Sequence, residues 1–119
     1  MGLTVPTPGT MTLLWTNPNP KTAFLPQTIQ LDLKGYKGVV LSVLGGIGGR
    51  YVPSAILCEQ NVDVEIAYPR GYMIGLRDVV LTDSGITFKE GKQDTYNSGS
   101  GGTTNNNYII PVKIYGIKI

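Results

Sequence analysis

The sequence predicts an all-β protein, an antiparallel β-sandwich of jelly-roll-like form built from about eight short strands. Three observations carry that expectation. Apolar residues alternate with polar ones at a period of two in several short runs, which places one set of side chains on one face of a strand. The runs recur at intervals of roughly ten residues and are parted by clusters of Gly, Pro and Asn. Sixteen glycines and eight prolines in 119 residues leave little room for a long helix. The length suits one domain with one core. Residues 11–119 therefore read as a single sandwich domain. Residues 1–10, which carry Thr, Pro and Gly without periodicity, read as a flexible tether.

Met11 to Thr16 reads as a short strand that stops at Asn17-Pro18-Asn19-Pro20, where two prolines exclude helix and favour a rigid extended loop. Trp15 lies inside that apolar run, so it reads as a core plug in preference to a sugar-stacking platform. Ile29, Leu31 and Leu33 alternate with Gln30 and Asp32 in a one-sided strand ending at Lys34-Gly35-Tyr36. Gly38 to Leu44 is apolar on both faces, the pattern of a central strand. It feeds Gly45-Gly46-Ile47-Gly48-Gly49-Arg50, which lacks both the Gly-x-Gly-x-x-Gly spacing of a dinucleotide turn and the Gly-Lys-Ser/Thr of a phosphate loop; a surface loop is expected.

Ser54 to Cys58 and Val62 to Ala67 are two further strands. In the second, Val62, Val64 and Ile66 oppose Asp63 and Glu65, and a solvated outer face accounts for the two carboxylates. Pro69-Arg70-Gly71-Tyr72 reads as a turn. Leu76 to Thr82 and Ile86 to Lys89, joined by Asp83-Ser84-Gly85, form the plainest hairpin. Asn97 to Asn107 has no apolar residue and is expected to be mobile or ordered by a partner. In the closing run, Ile110, Val112 and Ile114 alternate with Pro111, Lys113 and Tyr115. After Gly116 the phase slips to Ile117 and Ile119, and a glycine at such a slip marks a bulge or a close backbone approach. Tyr115, Ile117 and Ile119 are accordingly candidates for an interface with a second copy of the chain.

Composition narrows function. With no histidine and one cysteine, Cys58, the chain has no imidazole base, no internal disulfide and no zinc site of a common type. Asp63 and Glu65 share a face, a poor arrangement for flanking a glycosidic bond. No enzyme activity, no metal and no cofactor is expected. The net charge of +2 comes from scattered residues, with no basic stripe to track phosphates, so nucleic acid is not an expected partner. No apolar run approaches the ~20 residues that span a bilayer, and no membrane insertion is expected.

Thr12 to Pro20, followed by Ala23-Phe24, Gln27 to Leu33 and Tyr36, resembles the opening of a small module found at the C-terminal ends of phage and prophage tail proteins of Gram-positive bacteria. Asn107 to Lys118 resembles that module's end, and the Arg77 to Phe88 hairpin lies between. Such modules sit behind a long fibrous chain, whereas this sequence reaches the module almost at once; an excised domain and a small independent virion protein are both compatible with it. The resemblance implies a receptor-binding or tail-fibre head domain in the virion, made in the cytoplasm of the bacterial host. It implies a homotrimer that meets other virion proteins and a bacterial surface glycan. Loop residues Arg50, Tyr51, Arg70, Tyr72, Tyr96, Asn105 and Asn106 supply aromatic faces and guanidinium or amide donors suited to such a polymer. The alternative is a capsid or tail decoration protein without glycan binding.

Overall fold

The computed structural model describes residues 11–46, 55–57, 60–70, 73–95 and 102–118. Among them it is all-β, with nine strands and no helix: β1 (Met11–Thr16), β2 (Gln27–Gln30), β3 (Gly38–Gly46), β4 (Ala55–Leu57), β5 (Asp63–Arg70), β6 (Met73–Thr82), β7 (Gly85–Thr95), β8 (Thr103–Thr104) and β9 (Tyr108–Ile117). Two antiparallel sheets face each other. Sheet I has the order β1-β9-β3-β4; sheet II has the order β2-β7-β6-β5, with the short β8 also paired to β7. The chain alternates between sheets over its first three strands, and its first and last strands are partners. That is the wrapped double-sheet layout expected of a jelly-roll-like sandwich.

The core lies between the sheets. Leu41, Val43 and Ile114 of sheet I meet Ile66, Val79, Leu81, Ile86 and Phe88 of sheet II, while Phe24 and Leu33 close it from the connections. Burying each such side chain stabilises the fold by about 1.5–3 kcal/mol. The predicted alternation holds within β5, where Val64 is half-buried, Ile66 buried and Asp63 and Glu65 exposed, but Val62 lies before the strand and is exposed. β3 is interior to its sheet, as its two-sided apolar pattern predicts.

Several expectations need correction. Pro69 and Arg70 are not a turn but the end of β5, paired with Ile74 and Met73. β5 is an edge strand, where a proline's missing N–H costs no ladder bond. Leu31 and Leu33 do not extend β2. Their N–H groups instead donate to the carbonyls of Ser84 and Asp83 in the β6–β7 turn, each at 2.9 Å. β9 does not alternate throughout. The register shifts between Ser42 paired with Lys113 and Val43 paired with Pro111, leaving Val112 as an extra residue. This bulge admits Pro111 into an interior strand, and Ile109, Ile110, Pro111 and Val112 are all buried.

Gly116 is a close approach, as its place in the sequence predicts. A Cβ there would lie 2.5 Å from the ring of Tyr36.

Candidate functional site

The surface is organised from inside by a side chain that sequence reasoning passed over. Arg77, in β6, is fully buried, yet no carboxylate bonds to its guanidinium. Nε donates to Ile109 O at 2.8 Å, Nη1 to Lys89 O at 2.7 Å, and Nη2 to Tyr108 O at 3.0 Å and Asn106 O at 3.3 Å. Its planar face lies 5.5 Å from the centre of the Phe24 ring. Loss of water lowers the Arg77 pKa to about 10, so the group stays charged at neutral pH. The one available signal was parity, because Arg77 falls on the same face of β6 as the buried Val79 and Leu81.

Around this fork the chain from Asn105 to Tyr108 closes into a turn. Asn106 Oδ1 accepts from Gly91 N at 2.8 Å and its carbonyl from Phe24 N at 2.9 Å. Asn105 Nδ2 donates to Gln93 Oε1 at 2.8 Å, and its Oδ1 accepts from Asn107 N at 3.0 Å. The predicted ligand amides at 105 and 106 are thus engaged within the protein. Residues 105–107 make these bonds within the chain, and residues 97–101 of the same run lie outside the described residues.

Of the other predicted ligand residues, Arg50, Tyr51, Tyr72 and Tyr96 lie outside the described residues, as do Ile119 and Cys58, and Arg70 is the last residue of β5. The strand ends that flank them converge. Arg70 pairs with Met73 and Met73 with Thr95 in sheet II; Gly46 pairs with Tyr108 in sheet I. Tyr108 bridges the two, since a Cβ on Gly75 would lie 2.6 Å from its ring. This is the loop end. At the opposite end Met11 and Gly38 both pair with Ile117, and the β6–β7 turn bonds to Leu33.

The two outer faces differ in chemistry. On sheet I, Met11 pairs with Ile117, Leu13 with Tyr115, and Val40 with Tyr115, so these five side chains share one face. Leu13 is 51% exposed and Met11 42%. Tyr115 and Ile117, named from the sequence as interface candidates, are half-buried on this outer face. The outer face of sheet II carries Asp63, Glu65, Asp78 and Lys89, with Lys89 paired to Asp63 and its pKa raised by that hydrogen bond.

Three open grooves complete the surface. One of about 400 Å³ is bordered by Asp78, Lys89, Glu90 and Lys92, and one of about 380 Å³ by Asp32, Lys34 and Asp83. The third, about 300 Å³, lies beside the Asn17-Pro18-Asn19 loop and has no charged side chain in its lining. Among the described residues, no three His, Cys, Asp or Glu side chains come together as a metal site, and no helix is long and apolar enough to cross a membrane.

Fold and surface together define a two-ended antiparallel sandwich whose sheet I flank exposes Met11 and Leu13 beside Lys113, and whose sheet II outer face carries half-buried Ile74, Leu76 and Val80 among its charged side chains. Comparison with protein-family models, curated proteins and solved structures found no match.

Proposed function

We propose that this chain is a virion attachment module of a bacteriophage, a homotrimer that holds its loop end toward a polymer on the host cell surface. The observation that supports it best is the division of the sandwich. The strand ends Gly46, Arg70, Met73 and Thr95 lie together at one end, whereas Met11, Leu13, Tyr115 and Ile117 run along the flank of sheet I. Packing that flank against copies of itself removes the exposed Met11 and Leu13 side chains from water. Three parallel copies would present three sets of loops together. Linked weak sites raise avidity by ~10²–10⁴ when they engage simultaneously.

Light scattering on the purified protein tests the assembly. A mass of three chains is expected, and Leu13→Glu combined with Tyr115→Glu should reduce it to one without unfolding. A wild-type monomer at micromolar concentration would refute the trimer. Host-cell binding tests recognition: replacing Tyr51, Tyr72 and Tyr96 together by alanine should abolish it. The apolar flank also suits a decoration protein that packs on the virion, and for that reading a trimer or a virion-bound chain would show no glycan affinity on an array.

A further inference from the structure

The groove beside the β1–β2 connection combines an apolar lining with neutral polar groups. Its floor and walls are apolar: Phe24 is buried, Ile29 and Trp15 are half-buried, and Pro18 is exposed. Its polar groups are all neutral, namely the amides of Asn19 and Gln27 and the hydroxyl of Thr22. Trp15 packs its ring edge-on to Phe24, with centroids 6.2 Å apart. Among the described residues the indole N–H has no protein acceptor, and no buried side-chain polar atom lacks a partner, so that N–H must reach solvent.

The rim is pre-set. Asn17 is buried with its amide fully engaged: Nδ2 donates to Pro111 O at 2.8 Å and Oδ1 accepts from Asn19 N at 2.8 Å, while Asn17 N donates to Val112 O at 2.7 Å. Two prolines stiffen the loop further. A site held this way loses little entropy when a ligand arrives.

We infer that this groove binds a neutral sugar, a hexose or N-acetylhexosamine unit of a surface glycan, with the Trp15 indole beside the ring and Asn19, Gln27 and Thr22 bonding its hydroxyls. Three features select that class. An aromatic surface suits the C–H face of a pyranose, and amides and hydroxyls match its alternating donors and acceptors. The absence of charge leaves an anionic polymer without a cationic partner in this groove. A volume of about 300 Å³ is at the small end of ligand sites and holds about one or two rings. The inference deepens the attachment reading and rests on it for the source of the sugar, but not for the chemistry of the groove.

Trp15 is the sole tryptophan, so its fluorescence reports on this site alone. The 119-residue chain is titrated with free glucose, galactose, rhamnose and N-acetylglucosamine, and separately with glycerol phosphate and a proline-rich peptide. The expected result is a saturable emission change with at least one neutral sugar, half-complete at ~1–10 mM, together with reduced quenching by acrylamide and no response to glycerol phosphate. In the double variant Asn19→Ala/Gln27→Ala the response should fall at least tenfold while the thermal midpoint is nearly kept; both side chains are exposed, and the bond from Gln27 Nε2 to Leu25 O, at 3.0 Å, lies at the surface. No response to any neutral sugar, an equal response in the double variant, or a response only to the peptide would each overturn the proposal. Cell binding is scored independently. Sugar binding without cell binding would refute the attachment reading and leave the groove standing, whereas cell binding with no sugar response would do the reverse.

Discussion

Arg77 Nε donates to the carbonyl of Ile109 at 2.8 Å, tying sheet II to sheet I where Ile109 adopts a φ of +50°. A β-branched residue in that region costs of order 1–3 kcal/mol and persists only when its surroundings hold it. The other three guanidinium bonds supply that hold. Ordering the turn at Asn105 to Tyr108 is therefore the work of a residue about thirty positions earlier.

Replacing Arg77 should be among the most damaging single changes. Arg77→Met keeps the apolar stem and leaves several buried carbonyls without their donor, at a cost of about 3 kcal/mol or more. Arg77→Lys should recover only part, because an ammonium cannot fork toward four acceptors. Urea denaturation measures both; a loss below about 1 kcal/mol for Arg77→Met would contradict the assigned role.

Gly85→Ala should destabilise by about 2 kcal/mol or more. Gly85 has a φ of +154°, and a Cβ there would collide with the backbone carbonyl of Ile29 on β2. The expected outcome is a lowered midpoint in thermal unfolding. Gly91→Ala should behave alike, since its Cβ would lie 2.6 Å from Arg77 Nη2.

Ile114→Ala and Leu13→Ala separate the two faces of sheet I. Ile114 is wholly buried and should cost about 2–5 kcal/mol. Leu13, half in solvent, should change the stability of the isolated protomer by less than about 0.5 kcal/mol while weakening self-association. The first is read by chemical denaturation, the second by light scattering over a dilution series.

Stability should be flat between about pH 6 and pH 8, because the chain has no histidine. The two shifted groups act at alkaline pH with opposite signs. Lys89 has a raised folded pKa, so its contribution is complete below the unfolded value of 10.5 and is lost as pH climbs through the folded one. Arg77 has a folded pKa lowered to about 10, so above that pH the unfolded chain binds the extra proton, and this group alone raises stability as pH climbs from there. Thermal midpoints at pH 6, 7 and 8 check the plateau.

Much of the architecture was legible in the sequence because period-two alternation is a local property. The runs at Met11 to Thr16, Gly38 to Leu44 and Leu76 to Lys89 form strands where their patterns place them, and Tyr115 and Ile117 share the outer face of sheet I. The sequence by itself determined the all-β class, the hairpin turn, and the lack of any imidazole and of any internal disulfide. What tertiary structure alone decided depends on which distant backbones meet. Asn105 and Asn106 looked like free loop amides until Gln93 and Gly91 lay opposite them, and Pro69 looked like a turn until β5 proved to be an edge. The groove beside Trp15 needed Asn17 to be tethered to Pro111, a bond across 94 residues. Hydrogen bonds of that reach leave no periodic trace in the chain, because each is fixed by the packing of two sheets and not by spacing along either strand.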